Sequence, residues 1–293
     1  MCALFGKSRH AWYDHQNRIS QEILVREIVL QEVHQIRSSL PALGTRKLHY
    51  LLKGALRGHG IAVGRDYLFE LLAEKGMLIR RRRRRVITTN SNHWMRKYDN
   101  LIKLIDIDRP EQVWVSDITY LTYNNSFAYL SLITDVYSHQ IMGYQVQNDL
   151  STQGCLGALE MALQKRTRTA LTLIHHSDRG SQYCIKSYVS LLKENNIGIS
   201  MTQNGDPYEN AVAERLNGIL KSEFDFYRTA GNWIQMQEKL AKAILAYNNL
   251  RPHDSCDHLT PAQAHQKSGK LNKKWKNYKR KKWDLKNQEY EDV

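Results

Sequence analysis

Residues 113–120 read Val113-Trp114-Val115-Ser116-Asp117-Ile118-Thr119-Tyr120, an alternation that predicts a β-strand with a carboxylate near its centre. A second apolar run, 171–177, is followed directly by Asp178, and Glu214 lies in a helix-like stretch, 210–217. A charge embedded in an apolar run is costly unless it is paired or binds a metal. If the fold gathers these three carboxylates, they form one small site for hard divalent cations, and Mg²⁺ held by carboxylates suits phosphate chemistry.

The neighbouring segments predict the rest of a sheet around this strand. Further strands are predicted at 127–134, 140–146, 170–175 and 199–201. The first three strands follow one another closely, as in an antiparallel meander, and helices separate the last two. Three strands followed by alternating helices and strands predict an α/β fold with a mixed five-stranded sheet. Asp178 would lie just past the fourth strand, at the kind of strand end where open α/β sheets build their sites.

The first part of the chain predicts an all-helical region. Residues 1–19 form a short helical lead, and 20–79 carry three further helices separated by a proline and a glycine-rich turn, with Thr45 as the expected cap of the second. A helix, a glycine turn and a helix are typical of a helix-turn-helix DNA-binding domain, whose second helix enters the major groove. Arg65 would then lie in the first turn of that helix, where base contacts are made. A plain three-helix packing unit is the alternative.

The charge of the chain indicates a polyanionic partner. The net charge is +14, and the basic residues are clustered. Lysine and arginine that neutralise phosphates release counterions, so clustered positive charge favours a nucleic acid over a merely solubilising surface. The last segment, 267–293, is rich in lysine and interleaved with aromatic residues. An unbroken block of arginines stands in a basic linker, 80–108, and is a candidate for phosphate binding, with a solvated spacer as the alternative: Arg80, Arg81, Arg82, Arg83, Arg84 and Arg85.

Several protein classes do not fit this sequence. No run approaches the roughly 18 apolar residues that a membrane span needs, and the start lacks the pattern of a secretion signal. We therefore expect a cytoplasmic protein and no membrane partner. The four cysteines form no C-x-x-C pair, so a zinc ribbon is not expected.

The motifs around the three acids resemble those of a known family, the D-D-E transposases of bacterial insertion sequences. The likeness is to the second-reading-frame product of elements whose gene is split into two overlapping frames. These transposases are related to the retroviral integrases. It covers nearly the whole chain. The matching segments are 114–120, His176-Ser177-Asp178-Arg179-Gly180, 209–214, Lys221-Ser222-Glu223 and Tyr247-Asn248-Asn249-Leu250-Arg251-Pro252-His253.

The resemblance implies a ribonuclease-H-like catalytic core over 109–266, in which Asp117, Asp178 and Glu214 hold two Mg²⁺ ions, with Mn²⁺ as a substitute. It implies cleavage of double-stranded DNA at element ends and transfer of the exposed 3′-hydroxyl into target DNA. Lys221 matches the basic residue that contacts DNA in the family. Synapsis of two ends implies a homo-oligomer on DNA, and the split gene implies an upstream-frame partner.

Further DNA contacts are predicted from chemistry and spacing. Lys221 follows Glu214 by seven positions, about two helical turns, so both side chains share one helix face with Asn217 between them. Arg179 and Arg251 are candidate phosphate contacts. Two alternatives remain: a nuclease of the same fold that cuts without joining, and a DNA-binding protein left by a decayed element, in which the acids no longer gather.

Two further groups close to the predicted site have a structural interpretation. Histidines 175 and 176 precede Asp178 and could order DNA or a metal-bound water, but a hydrogen-bonded strand end is the expected role. Asp135 could add a carboxylate, although the segment 134–138 is more typical of a hairpin turn.

Overall fold

The computed structural model describes residues 6, 8–79, 95–103, 105–123, 126–203, 211–226 and 231–274. The predicted arginine block, 80–85, and most of the lysine-rich tail, from 275 onward, lie outside the described residues. Within the described ranges, no helix has both the length and the apolar character needed to cross a membrane.

The centre of the protein is a mixed sheet of five strands. In chain order they are β1 (Val113–Tyr123), β2 (Ser126–Asp135), β3 (Ile141–Gln147), β4 (Leu173–Ser177) and β5 (Ile197–Met201). Their spatial order is β3-β2-β1-β4-β5. The β1–β2 and β2–β3 pairs are antiparallel, whereas β1–β4 and β4–β5 are parallel. The predicted mixed five-stranded sheet is confirmed, with an antiparallel meander followed by two parallel strands.

Helices cover both faces of this sheet. Three pack on one face: α4 (Thr152–Lys165), the short α5 (Ser181–Cys184) and α6 (Lys186–Glu194). The other face is covered by α7 (Ala211–Glu223) and α8 (Trp233–Asn249). Because side chains alternate along a strand, the even-numbered residues of β1 from Trp114 face α4, and the odd-numbered ones, such as Leu121, face α7.

Close packing of α4 on the sheet depends on one glycine. A Cβ atom added to Gly143 in β3 would lie 1.9 Å from the carbonyl oxygen of Ala158 in α4. Such a distance is far inside van der Waals contact, so any side chain at position 143 would push α4 away from the strand. The helix and strand can meet only because this residue has no side chain.

The N-terminal helices form a layer of their own. They are α1 (Arg9–Ser39), α2 (Thr45–Ala55), which continues into a 3₁₀ turn at Leu56–His59, and α3 (Arg65–Glu74). They share buried leucine and valine side chains. α1 runs without a break through positions 19 and 20, because no glycine or proline interrupts residues 9–39. The glycine turn is present, with Gly60 in the left-handed region at φ +66°.

A buried ion pair of the core lies where the helical layer meets it. Arg251, just after α8, donates from Nε and Nη2 to the two carboxylate oxygens of Glu223 at 2.8 and 2.7 Å. The Arg251 side chain is only 1 % exposed. Glu223 is the last residue of α7, and its backbone carbonyl accepts a hydrogen bond from the N–H of Ala42 at 3.0 Å. Nearby, Lys47 of α2 lies 3.2 Å from Asp254.

A last segment attaches the C-terminal part of the described chain to the sheet. The short helix α9 (Pro261–His265) has Thr260 and Gln263 as a capping box.

Asp135 is fully buried and accepts hydrogen bonds from the backbone N–H groups of Glu111 and Ser138. Asp135 is therefore a turn group, as the sequence indicates, and does not face the predicted site.

The Arg251–Glu223 pair provides a test of how α7 is held. The substitution Glu223→Ala leaves the buried guanidinium without its carboxylate, and breaking a buried pair in this way costs about 3–5 kcal/mol. We expect a loss of that size in the free energy of unfolding, measured by urea denaturation. Glu238→Ala removes an exposed glutamate from α8 and should change it by less than about 0.5 kcal/mol. Equal effects of the two substitutions would contradict the inferred role of the pair.

Candidate active site

Asp117 and Asp178 are brought together by the parallel pairing of β1 with β4. In this register Ser116 is the partner of Ser177, and that is the last pair between the two strands. Asp117 and Asp178 are the next residue on each chain, and neighbouring strands lie about 4.8 Å apart. The two aspartates are therefore adjacent at the point where β4 ends and β1 continues alone.

A tight turn fixes the carboxylate of Asp178. Its Oδ1 atom accepts a hydrogen bond from the backbone N–H of Gly180 at 2.9 Å. A Cβ atom added to Gly180 would also lie 2.9 Å from that oxygen, closer than real Cβ contacts allow. The glycine thus permits both the donor geometry and the space that the Asp178 side chain occupies. Asp178 itself is half-buried.

The charges around Asp117 raise its pKa. Burial is the largest cause, followed by the negative charge of Asp178, with a smaller contribution from Glu214, and together they raise the pKa of Asp117 from 3.8 to about 7. A backbone hydrogen bond from Ile118 and the ammonium of Lys221 act in the opposite direction without cancelling the effect. The positive charge of Lys221 therefore does not offset the negative charge of the carboxylates around Asp117.

Helix α7 carries three side chains that act on Asp117. Asn217 Nδ2 donates a hydrogen bond to Asp117 Oδ2 at 2.6 Å. The charge of Glu214, exposed in the first turn, raises the pKa of Asp117, and the Lys221 ammonium lowers it. Their spacing of three and four residues places all three on the face of α7 that packs on β1.

The oxygen donors of the site fit Mg²⁺, although the three carboxylates do not surround a common point in this structure. Among the described residues, no three His, Cys, Asp or Glu side chains are close enough together to hold a metal as they stand. The available donors are carboxylate oxygens, which hard cations prefer. Ionising Asp117 beside Asp178 is unfavourable without a counter-charge, and a divalent cation bound there would lower the pKa of Asp117.

Lys221 reaches beyond the carboxylates to an aromatic ring. Its Nζ atom lies 4.3 Å from the ring centroid of Tyr120 on β1. Burial lowers the pKa of Lys221, and the negative charge of Asp117 partly offsets this. The ammonium is half-buried and lies within the electrostatic range of Asp117.

The structure corrects two of the predicted DNA contacts. Arg251 is not available to a phosphate, because its guanidinium is buried against Glu223. Asn217 is 7 % exposed and bonds to Asp117, so it positions that carboxylate instead of facing DNA. Arg65 is exposed at the start of α3, where its Nε donates to Asp66 at 2.8 Å. Arg179 directly follows Asp178 and is half-buried.

Behind the carboxylates lies a network of buried polar groups. The hydroxyl of Tyr188 shares a hydrogen bond with Nε2 of His175 at 2.9 Å, and Nδ1 of His176 does so with the Ser200 hydroxyl at 2.8 Å. Burial lowers the pKa of His175 to about 3, so this ring stays neutral. The histidines thus have the structural role that the sequence favours.

Sequence reasoning missed the groups directly beside Asp117. The hydroxyls of Ser116 and Tyr183 lie 3.2 Å apart under the site. Burial raises the pKa of Tyr183, with the charges of Asp178 and Asp117 adding to it. Tyr183 follows Asp178 by five positions, but only the fold shows that its ring turns back under β1.

The chain matches a protein-family model described as "Integrase core domain" over residues 107–207. A second model with the same description matches residues 195–261. Together these matches cover the sheet, α7 and α8.

Similar proteins come from bacterial insertion elements. An uncharacterized 31 kDa protein of insertion element IS600 from Shigella sonnei is 33% identical over 280 residues, 91% of this chain and 98% of that protein. A transposase for insertion sequence element IS629 from the same organism is 33% identical over 205 residues, 70% of this chain and 69% of the relative. Transposase InsF for insertion sequence IS3A from Escherichia coli K12 is 27% identical over 277 residues, 92% of this chain and 93% of the relative.

Solved structures with partial likeness include two viral proteins. One is the HTLV-2 integrase catalytic core domain in complex with magnesium, with a TM-score of 0.42, 18% identity and coverage of 54% of this chain and 97% of that one. The other is a simian T-cell lymphotropic virus intasome in complex with a PP2A regulatory subunit, with a TM-score of 0.48, 19% identity and coverage of 76% and 75%.

The raised pKa of Asp117 predicts a specific pH dependence of stability. A carboxyl whose pKa is higher in the folded chain favours folding below its unfolded pKa, and this contribution is lost as the pH rises through about 7. Without divalent ions, the wild-type Tm should therefore fall relative to that of Asp117→Asn between pH 5 and about pH 8. Thermal melts at several pH values measure the difference. Parallel curves for the two proteins would contradict the electrostatic account of the site.

Proposed function

Because this chain belongs to the insertion-sequence transposases that carry an integrase core domain, we propose that Asp117, Asp178 and Glu214 are its catalytic carboxylates. The chain functions in transposition and DNA integration, and its chemistry is transfer of polynucleotide ends. The observation that supports this assignment best is the in-register placement of Asp117 beside Asp178, with the pKa of Asp117 raised to about 7. That placement concentrates unneutralised negative charge at one strand end.

Each residue around the site has a definite task in this proposal. Bound at the carboxylates, two Mg²⁺ ions, or Mn²⁺ in their place, would supply Lewis-acid chemistry for in-line phosphoryl transfer. Asn217 holds Oδ2 of Asp117 in one orientation, and Gly180 holds Asp178. Glu214 is exposed in the first turn of α7 and would complete the set. Lys221 offers its ammonium to a DNA phosphate.

The reaction consists of two phosphoryl transfers without a covalent enzyme intermediate. In the first, water attacks the phosphodiester at the element end, the bond from phosphorus to the 3′-oxygen breaks, and a free 3′-hydroxyl results. In the second, that hydroxyl attacks a phosphorus of target DNA, and the displaced 3′-oxygen leaves with a proton. A nuclease of the same fold would carry out only the first transfer, so joined products distinguish the two functions.

DNA binding in this proposal uses several regions of the chain. The exposed Arg65 at the start of α3 and the basic linker provide contacts outside the catalytic core. The substrate is double-stranded DNA at the element ends and in the target. Two ends must be held together, which favours a homo-oligomer on DNA, and a protein from an upstream reading frame is a further proposed partner.

Carboxylate substitutions test the catalytic assignment directly. Asp178→Asn and Glu214→Gln should each abolish cleavage of labelled element ends in Mg²⁺ while leaving DNA affinity intact or raised, because the neutral amide does not repel phosphate. Glu238→Gln, an exposed glutamate on α8 of the same core, serves as the matched control and should cleave normally. Unchanged cleavage by either site variant removes that residue from the mechanism.

The structure refines the boundary of the basic tail and so provides a second test. Residues up to 274 are attached to the core: the Gly269 N–H donates to the Asp108 carbonyl at 2.7 Å, and Lys274 Nζ lies 2.5 Å from Asp257. Deleting 275–293 therefore spares these contacts and removes Lys276, Lys279, Arg280, Lys281, Lys282 and Lys286.

We expect this deletion to flatten the dependence of log affinity on log salt concentration by about 0.9 for each phosphate that the tail neutralises in the full chain. Binding titrations of the full chain and the truncated chain at several salt concentrations measure the slope. An identical slope would mean that the tail does not contact DNA.

A further inference from the structure

We propose that Tyr120 and Phe127 form a stacking platform for an unpaired DNA base a few nucleotides from the reacting phosphate. This inference rests on the proposed function, because it assigns a further part of the same substrate to the same site. The two rings belong to β1 and β2, at the hairpin end of the sheet. They contact each other edge to face, with ring centroids 5.6 Å apart and an interplanar angle of 86°.

The platform lies along a part of β1 that has a strand partner on one edge alone. β1 pairs with β4 only as far as Ser116, while its pairing with β2 continues to Tyr123. Within the described part of the chain, no strand pairs with the other edge of β1 beyond Ser116. The Thr122 N–H donates to the Phe226 carbonyl at 3.4 Å, so a DNA strand that enters the carboxylate site can follow this edge between Ser116 and Thr122.

Lys221 connects the catalytic site with the platform. Asp117 faces α7, whereas Tyr120 belongs to the set of β1 residues on the opposite face of the sheet. The Lys221 side chain, which starts from α7, nevertheless places its ammonium 4.3 Å from the Tyr120 ring centroid and still acts on Asp117. One cation is thus within reach of a phosphate at the carboxylates and of a base stacked on the rings.

Distance and exposure agree with a base as the occupant. Tyr120 follows Asp117 by three residues, which is about 10 Å along a strand and about three base-pair steps at 3.4 Å each. Phe127 is 56% exposed, so a large part of its ring is available to a ligand. A planar ligand with a negative phosphate beside it complements two aromatic rings with a lysine.

The energies of stacking and unpairing are of similar size. Taking a base out of a duplex costs unstacking and unpairing free energy, and stacking a base on an aromatic side chain supplies favourable free energy of comparable size. A platform at this position would therefore offset much of the cost of opening the duplex where the phosphate must reach the carboxylates. The base identity is not specified, since every base presents a flat face to the ring.

The test compares substitutions of the exposed ring on paired and unpaired DNA. Phe127→Leu keeps an apolar side chain but removes the π face, and Phe127→Trp keeps a stacking surface. Leu245→Ala is the control, because Leu245 is 65% exposed on α8 of the same core. The substrates are a labelled element-end duplex and the same duplex with mismatched bases around the cleavage position.

On the paired duplex, Phe127→Leu should slow Mg²⁺-dependent cleavage about tenfold, which corresponds to about 1.4 kcal/mol. Phe127→Trp and Leu245→Ala should stay close to wild type. On the mismatched duplex the deficit of Phe127→Leu should shrink to about twofold or less, because the unpairing cost is already removed.

Two outcomes overturn the proposal and can be told apart. If the wild-type chain cleaves in a manner that depends on Asp178 but Phe127→Leu behaves like Leu245→Ala on both substrates, the platform is wrong and the catalytic assignment stands. If the deficit of Phe127→Leu is equal on paired and mismatched DNA, the ring does not stabilise an unpaired base. Absence of any cleavage dependent on Asp178 in the wild-type chain would overturn the proposed function as well.

Discussion

The parallel register between β1 and β4 is the constraint on which the site depends. It aligns Ser116 with Ser177 and so places an aspartate at the next position of each strand. The two carboxylates are 61 positions apart in the sequence (178 − 117). Without this alignment, nothing in the sheet would bring them together. The sheet keeps the two carboxylates together despite their mutual repulsion, because buried side chains on both of its faces resist separation of the strands.

α7 is the second element that the site requires, and different contacts hold its middle and its end. In the middle of the helix Asn217 bonds to Asp117, while at its end Glu223 binds the buried guanidinium of Arg251 and accepts a backbone hydrogen bond from Ala42. The same residue, Glu223, thus contacts the segment after α8 and the segment after α1. The position of α7 is therefore linked to the packing of the N-terminal helices.

The sequence predicted the sheet and the strand-end positions of Asp117 and Asp178 because both depend on local patterns. Alternation around Asp117 and the motif after His176 identify strands and strand ends without knowledge of the fold. The assignment of Asn217 and Arg251 to DNA was wrong because both are buried by contacts with residues 100 and 28 positions away. No local sequence pattern contains such contacts. The Thr45 cap was wrong for a local reason: Gly44 occupies the N-cap, and Thr45 lies inside α2.

The first half of α1 has a mechanical consequence. Residues 9–24 are all exposed, including Trp12 and Tyr13, so this half buries no side chains against the rest of the described chain. At 1.5 Å per residue it extends about 24 Å beyond the packed half around Val29 and Val33. Its helical form is sustained by propagation from that packed half, since helix growth is easier than nucleation. The free end should fray first and be the earliest site of proteolytic nicking.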